Sequence, residues 1–224
     1  MLKGLEESQL SERERAKIQG RFGRVLLLLM IAVFFSISAP DGPWTRLATA
    51  VVSAVILSIA MFASGARQKL VWAWLCIIGV GLGTSIIIAI TQPGSAHEDV
   101  TLTNLLLAVI TMGAMARRLW LQAEISMLTI LGALCIYVLV GISFALGFEL
   151  IGELGSHPFF SQQEIGTRSD YVYFSFITMT TVGYGDLTPA GGLGRALAVT
   201  EGLLGQIYLV TAVAALVGNL GRER

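Results

Sequence analysis

Long runs of hydrophobic residues alternate with polar segments along most of the chain. Five runs contain no Asp, Glu, Lys or Arg, and a sixth is interrupted once, by Glu201. The runs are Val25 to Ala39, Leu47 to Ser64, Leu70 to Thr91, Val100 to Ala116, Ile125 to Phe148 and Ala196 to Val217. A helix needs about 20 apolar residues to cross a bilayer core about 30 Å thick, and the alternation typical of β-barrel strands is absent. The pattern predicts an all-α membrane protein with six transmembrane helices.

The basic residues are distributed unequally between the two sides of this arrangement. With a first helix that begins near Ile18, 12 of the 15 Lys and Arg side chains fall on the side of the N-terminus. The opposite side holds three basic and eight acidic residues. Because Lys and Arg are enriched in cytoplasmic loops, we expect a multi-pass protein of the cell membrane with both termini in the cytoplasm. The negative outer face is expected to concentrate cations.

Composition argues against several other classes of protein. Hydrophobic residues make up 54% of the chain and charged residues 13%, whereas about 25% of residues are charged in soluble proteins. The net charge is zero, so there is no basic excess for a phosphate backbone, and we expect no nucleic-acid partner. The His, Cys, Asp and Ser residues show no metal-binding or catalytic spacing, which argues against an enzyme. The lipid bilayer is the first expected partner.

The connection between the fifth and sixth runs is the longest, and it contains a second, shorter apolar segment. Ser169 and Asp170 offer an N-cap and an acidic first turn for a helix over residues 169–180. At about 1.5 Å per residue, this helix reaches about halfway across a bilayer, so we expect it to be re-entrant. Backbone that is not helical at membrane depth must be buried or must line a water-filled path. Residues 181–186 are therefore the candidate functional segment.

Residues 180–186 read Thr-Thr-Val-Gly-Tyr-Gly-Asp and resemble the selectivity filter of potassium channels. In such a filter, rings of carbonyl oxygens replace the hydration shell of K⁺, and glycine permits the backbone angles that this requires. The resemblance implies passive K⁺ conduction by a homotetramer, since one chain supplies one strand of each ring. K⁺ is then the permeant ligand, and no other cofactor is expected. The implied K⁺ sites lie at Thr181, Val182, Gly183 and Tyr184, with Gly185 completing the strand.

The resemblance covers the C-terminal part of the chain and implies a pore domain over residues 119–221. Its expected parts are an outer helix over 120–148, an outer loop over 149–168, a pore helix over 169–180, a filter over 181–186 and an inner helix over 194–218. The remaining expected parts are a cytoplasmic segment over 1–23, a four-helix transmembrane domain over 24–118 and a cytoplasmic C-terminus over 222–224. The expected fold is thus six transmembrane helices with a re-entrant pore helix and filter between the fifth and the sixth, in a tetrameric pore.

Two positions of the predicted pore helix depart from the family pattern. Many potassium channels carry a pair of tryptophans there, and the first donates a hydrogen bond to the filter aspartate. The matching residues are Tyr173 and Phe174. The Tyr173 hydroxyl can donate to Asp186 instead, whereas Phe174 has no donor. We expect these two residues, together with Thr180, Asp186 and Glu201, to support the filter, with weaker bracing than in the family pattern.

The predicted inner helix contains three further candidate residues. Glu201 is charged within a spanning run, where such residues are usually functional or paired. It either packs against the pore helix with a proton or a hydroxyl partner, lines the ion cavity, or forms a contact between subunits. Gly205 is the candidate gating hinge, with close helix packing as the alternative. Gln206 is the candidate cavity residue below the filter.

The fourth run contains no arginine between Val100 and Ala116, and Arg117 and Arg118 stand together at its inner end. A voltage sensor needs positive charges spaced through the membrane. We therefore expect a potassium-selective channel that is not intrinsically voltage-gated. Two alternatives remain open, namely a weakly selective cation channel and a non-conducting membrane scaffold or regulatory subunit.

Overall fold

The computed structural model describes residues 22–38, 55–61, 97–120, 127–162 and 165–220, and the isolated positions 52, 72, 76 and 79. Within these ranges, the regular structure is helical, apart from one β-bridge between Phe160 and Pro189. The described helices are α1 (Phe22–Ser38), α2 (residues 55–61), α3 (His97–Trp120), α4 (Met127–Leu154), α5 (Arg168–Met179) and α6 (Gly192–Leu220). The all-helical character predicted from the hydrophobic runs is confirmed for this part of the chain.

Two of these helices are long and apolar enough to cross a bilayer. They are Thr129–Leu154 within α4, with a mean hydropathy of 2.4, and Gly192–Ala215 within α6, with a mean hydropathy of 1.5. Shorter apolar helices are present at Phe22–Ser38 and Thr101–Arg117. The predicted start of the first helix near Ile18 and most of the second and third runs lie outside the described residues.

The boundaries of the outer helix differ from the predicted range 120–148. Trp120 is the last residue of α3, and α4 runs from Met127 to Leu154. The prediction ended the helix at its first acidic residue, but the two carboxylates in this last part have partners. Arg168 Nε lies 3.9 Å from Glu149 Oε2, and the Thr101 hydroxyl donates to Glu153 Oε1 at 3.1 Å. The helix therefore continues into the predicted outer loop. The inner helix exceeds its predicted range, 194–218, by two residues at each end.

Helix α3 packs antiparallel to α4. At one end, Thr101 of α3 meets Glu153 near the end of α4. At the other end, Leu119 lies against Gly132, where an added methyl group would come within 2.7 Å of Leu119 Cδ2. Glycine at position 132 is what permits this approach.

Helix α1 runs in the same direction as α4 and reaches α5. Near its start, the Phe22 carbonyl accepts a hydrogen bond from Cys135 Sγ of α4 at 3.7 Å. Near its end, the Ile37 carbonyl accepts from Ser169 Oγ of α5 at 2.7 Å. The first helix thus contacts α4 near its start and α5 near its end.

The described residues form two hydrophobic clusters. The larger joins α1, α2, α3 and α4, and its fully buried side chains include Phe22, Leu29, Leu57, Met61, Leu107, Met115 and Leu139. The smaller, called here the aromatic cluster, joins α4, α5 and the segment between them. It comprises Phe148, Phe159, Phe160, Tyr171 and Phe174. Neighbouring rings lie 4.9 to 6.2 Å apart between centroids, mostly edge to face, which is the favoured geometry for aromatic pairs.

Candidate functional site

Helix α5 begins with a capping box formed by Thr167 and Asp170. Thr167 is the N-cap, and its side chain accepts from Asp170 N–H at 3.2 Å while Asp170 Oδ2 accepts from Thr167 N–H at 2.8 Å. The prediction of Ser169 as the N-cap is wrong, because the Ser169 hydroxyl donates to Ile37 of α1 instead. The helix accordingly covers Arg168–Met179 rather than 169–180.

The backbone that leaves α5 is fastened to the last turn of the helix. The N–H groups of Val182 and Gly183 donate to the Ile177 carbonyl at 2.9 and 3.1 Å, and Thr181 N–H donates to the Thr178 carbonyl at 3.0 Å. Thr180 closes the helix, with its hydroxyl on the Phe176 carbonyl at 2.6 Å. Among the described residues, no group donates to the carbonyls of residues 181–185. These carbonyl oxygens therefore remain available to a cation.

Residues 181–186 are called the filter here because of the resemblance noted above, and their φ angles alternate between positive and non-positive values. The φ angles of Thr181, Gly183 and Gly185 are 60°, 51° and 79°, whereas those of Val182 and Tyr184 are not positive. Such alternation occurs in neither an α-helix nor a β-strand, in both of which φ stays negative. Within the described residues, positive φ angles occur only at these three positions. Threonine is strained in this conformation, because its β-branched side chain crowds the backbone.

The Asp186 end of the filter is joined to α5 by a side-chain hydrogen bond. The Tyr173 hydroxyl donates to Asp186 Oδ2 at 2.7 Å. This bond, with the burial of the hydroxyl and the charge of Asp186, raises the pKa of Tyr173 to about 12. The next residue, Phe174, points the other way and is buried in the aromatic cluster, 5.2 Å from Phe148 between ring centroids. Tyr173 and Phe174 thus make different contacts, the first with Asp186 and the second with the aromatic cluster.

Outer-loop residues that sequence reasoning missed fasten the chain after the filter. Ser161 N–H donates to the Thr188 carbonyl at 2.9 Å, and Ala190 N–H donates to the Phe159 carbonyl at 2.8 Å. The Gln162 side chain donates to Thr188 Oγ1 at 2.7 Å and accepts from Thr188 N–H at 2.9 Å. The available signal was the pair of adjacent phenylalanines at 159 and 160 in an otherwise polar loop.

Glu201 of α6 lies against α5. It is fully buried, and its Oε1 is 2.5 Å from the Ser175 hydroxyl oxygen, which is itself 2.7 Å from the Gly141 carbonyl oxygen of α4. Sequence reasoning did not single out Ser175 or Gly141. A serine inside an amphipathic half-length helix was the only signal for the first of them.

Gly205 packs directly against the end of α5. A methyl group added there would lie 2.7 Å from Met179 Cγ and 2.9 Å from the Met179 carbonyl oxygen. Helix α6 continues through this position, so the gating hinge stays a prediction and the close contact is what the structure shows. Gln206 is partly buried. Its neighbours Leu209 and Val213 border an apolar cavity of about 200 Å³ between α4 and α6.

Comparison with known sequences places the same region in context. Residues 136–222 match the profile of the family described as ion channel. Protein LctB of Geobacillus stearothermophilus is 35% identical over 88 residues, which cover 37% of this chain and 65% of that protein. The inward rectifier potassium channel Kirbac3.1 of Paramagnetospirillum magnetotacticum is 30% identical over 87 residues, 39% of this chain and 28% of that protein.

A putative potassium channel protein of Rhodopseudomonas palustris is 35% identical over 61 residues, 27% of this chain and 15% of that protein. The chain therefore spans less than two thirds of the length of each of these relatives. The matched residues include α5, the filter and α6. The matched region is thus similar to ion channels, and two of these relatives are named as potassium channels.

Proposed function

We propose that the protein is a potassium-selective channel in which four copies of the chain conduct K⁺ passively through residues 181–185. The observation that carries the proposal is the alternation of positive and non-positive φ angles along residues 181–185. The first three N–H groups of this segment donate to carbonyls of α5, so its carbonyl oxygens are the groups left to bind an ion. Such a strand presents several carbonyl oxygens along one side, and carbonyl oxygens are what a K⁺ filter uses in place of water. The matched ion channel region includes this segment.

In this proposal, K⁺ is bound at four levels of the filter. Each level takes one oxygen from every chain, and the Thr181 hydroxyl supplies the innermost ring. The negative end of the α5 dipole faces the inner side of the filter and favours a cation there. The K⁺ sites lie at Thr181, Val182, Gly183 and Tyr184 of each chain, and Gly185 completes the strand.

The surface of the single chain supports a tetramer. Val182 is 50% exposed and Tyr184 is 73% exposed, although both would have to be braced for a rigid filter. On α6, large apolar side chains at helical spacing are also exposed, namely Leu203, Ile207 and Val210. Copies related by a central axis would cover both surfaces, because one strand per chain lines a ring only when several chains meet.

The proposed membrane arrangement has six crossings, and α5 re-enters from the outer side. With 12 residues, α5 is about 18 Å long, which is too short for a bilayer core of about 30 Å. Between Thr101 and Ala116, α3 carries no charged residue, and Arg117 stands at the end of this apolar stretch. A field across the membrane then has no ladder of charges to move, so we propose gating that does not depend intrinsically on voltage.

The decisive experiment is a reversal potential measured on the purified full chain in a planar bilayer, with KCl on one side and NaCl on the other. A reversal at the K⁺ equilibrium value supports the proposal, and a current that reverses near zero assigns a weakly selective cation channel. If no current flows at any voltage, stabilisation of the tetramer by K⁺ over Na⁺ in a melting assay separates a closed channel from a scaffold. Open probability measured across voltages in the same bilayer tests the absence of voltage gating.

A further inference from the structure

Helices α4, α5 and α6 meet at one buried polar contact, formed by Gly141, Ser175 and Glu201. The side chains of Ser175 and Glu201 are completely buried. The Ser175 oxygen lies 2.7 Å from the Gly141 carbonyl oxygen and 2.5 Å from Glu201 Oε1, and both are distances for an O–H···O hydrogen bond. The positions of the hydrogens in these two bonds determine the charge of Glu201.

A count of donors decides between the charge states. A serine hydroxyl has one hydrogen, and a carbonyl oxygen has none. If Glu201 were a carboxylate, its oxygen and the Gly141 carbonyl would compete for the single Ser175 hydrogen, and one short contact would join two oxygens with no hydrogen between them. If Glu201 carries a proton, it donates to Ser175, and Ser175 donates to Gly141. Only the protonated acid puts one hydrogen in each contact.

The surroundings of Glu201 also disfavour a charge. Its second oxygen, Oε2, is buried and accepts no hydrogen bond, and within the part of the chain that the structure describes, no Lys, Arg or His forms an ion pair with it. Glu149 differs in this respect, since it is buried near Arg168. A buried carboxylate without a partner is strongly destabilising, whereas the neutral acid needs one acceptor and has it.

The other ionisable groups on the three helices are occupied elsewhere or carry no positive charge. Tyr137 of α4 is near enough to Glu201 for an electrostatic interaction. On α5, Arg168 is beside Glu149, Asp170 caps the helix and Tyr173 bonds Asp186. On α6, Arg195 donates to the Pro189 carbonyl at 3.0 Å and Tyr208 to the Ala133 carbonyl at 2.8 Å. The remaining ionisable side chains on these helices are Cys135, Glu153 and Tyr171.

We propose that Glu201 is a neutral carboxylic acid whose proton holds α6 to α5 and thereby positions the filter. Loss of this proton leaves two acceptors for one Ser175 hydrogen, so the carboxylate and α5 separate. Helix α5 is already packed closely against α4 at Gly141, because a methyl group there would lie 2.9 Å from both Met179 Cε and Phe176 Cζ. The filter begins at the end of α5, so its geometry changes with the helix. The effect on conduction rests on the proposed function, whereas the protonation of Glu201 does not.

The proton itself is tested by infrared spectroscopy of the full chain in lipid, with glutamate carboxyl groups isotopically labelled. A wild-type minus Glu201→Gln difference spectrum should contain the carbonyl band of a protonated acid. The matched variant Glu149→Gln, at a buried carboxylate beside an arginine, should remove a carboxylate band instead. Ser175→Ala should shift the acid band to the higher frequency of an acid without an acceptor. An acid band that persists in Glu201→Gln overturns the proposal.

The positioning role is tested by melting temperature and K⁺ current as functions of pH. The wild type should lose both once the pH is high enough to deprotonate the acid. Glu201→Gln keeps a neutral donor and should keep both, whereas Glu149→Gln should retain the wild-type profile. Identical pH profiles for the wild type and Glu201→Gln contradict the proposal. If none of the proteins conducts, the proposed function fails, while the infrared band and the melting profile still decide the state of Glu201.

Discussion

The hydroxyl of Tyr173 lies 2.7 Å from Oδ2 of Asp186, so that a residue on the second turn of α5 holds the outer end of the filter. The inner end of the filter is held by the backbone bonds from Thr181, Val182 and Gly183 to α5. One short helix therefore fixes both ends of a six-residue segment. Removal of either attachment is expected to affect ion conduction before it affects the fold.

Tyr173→Phe removes the outer attachment while keeping the ring. We expect K⁺ current to decay faster under sustained opening than in the parent, because the outer carbonyls lose their anchor. The matched control is Tyr208→Phe, which removes a tyrosine hydrogen bond of 2.8 Å between α6 and α4, away from the filter. Macroscopic current decay after a step to open conditions is the measurement. Equal decay in Tyr173→Phe and the parent would remove the bond from the account of filter stability.

The pH dependence of the Tyr173 bond follows from the direction of its pKa shift. The pKa is raised to about 12, above the ordinary value of about 10 for tyrosine. The native state therefore favours the protonated hydroxyl, and its contribution is complete below pH about 10 and lost as pH rises through about 12. In a Glu201→Gln background, current decay should be constant through the neutral range and approach that of Tyr173→Phe only in strong alkali. A change of decay rate near neutral pH in that background would contradict this assignment.

Alanine at Gly185 should damage selectivity through backbone strain. The φ angle of 79° is one that L-residues rarely adopt, and no atom of the same chain lies within 4 Å of an added methyl group, so within one chain the effect comes from backbone strain. We expect a cost of about 1 to 2 kcal/mol in the filter conformation and a reversal potential shifted toward zero in K⁺/Na⁺ gradients. Gly191→Ala is the matched control, since that position has open space and no positive φ. A fully selective Gly185→Ala channel would show that the left-handed conformation is dispensable.

Gln162→Ala should loosen the chain after the filter. It removes two hydrogen bonds to Thr188, of 2.7 and 2.9 Å, each worth about 0.5 to 1.5 kcal/mol and less at this exposed position. Thr188→Val removes only the hydroxyl partner and should cost less. A double-mutant cycle on thermal stability in K⁺ gives the coupling, and a coupling energy of zero would exclude the contact from filter support.

Gly205→Ala should destabilise the folded protein. The new methyl group would meet the side chain and the carbonyl oxygen of Met179, and overpacking of this kind costs about 1 to 3 kcal/mol. Gly218→Ala, with nothing within 4 Å, should be tolerated. Melting temperature and single-channel gating are measured together. If Gly205→Ala alters gating but leaves stability unchanged, Gly205 acts as a bend rather than as a packing contact.

Local sequence patterns predicted those features of the fold that depend on residues near each other in the chain, such as the helices. The hydrophobic runs predicted the all-helical fold and the membrane location, and the half-length helix was placed within one residue of Arg168–Met179. Contacts between distant parts of the chain decided the rest. Thr167 rather than Ser169 is the N-cap, because the Ser169 hydroxyl donates to the carbonyl of Ile37, 132 positions away. Helix α4 continues past its first acidic residue, where Arg168 lies beside Glu149 and Thr101 donates a hydrogen bond to Glu153. No short pattern encodes such partners.

Among the described residues, the hydrogen bonds that hold residues 181–186 and the chain after them join positions between Phe159 and Ala190. They join positions that are close in sequence, such as Tyr173 to Asp186, so they can form early in the folding of a newly inserted subunit. Val182 and Tyr184 are exposed in the single chain. For the proposed tetramer, we therefore expect biogenesis in two stages. The strand is expected to acquire its backbone form in the isolated subunit, and oligomerisation to add lateral support without refolding it.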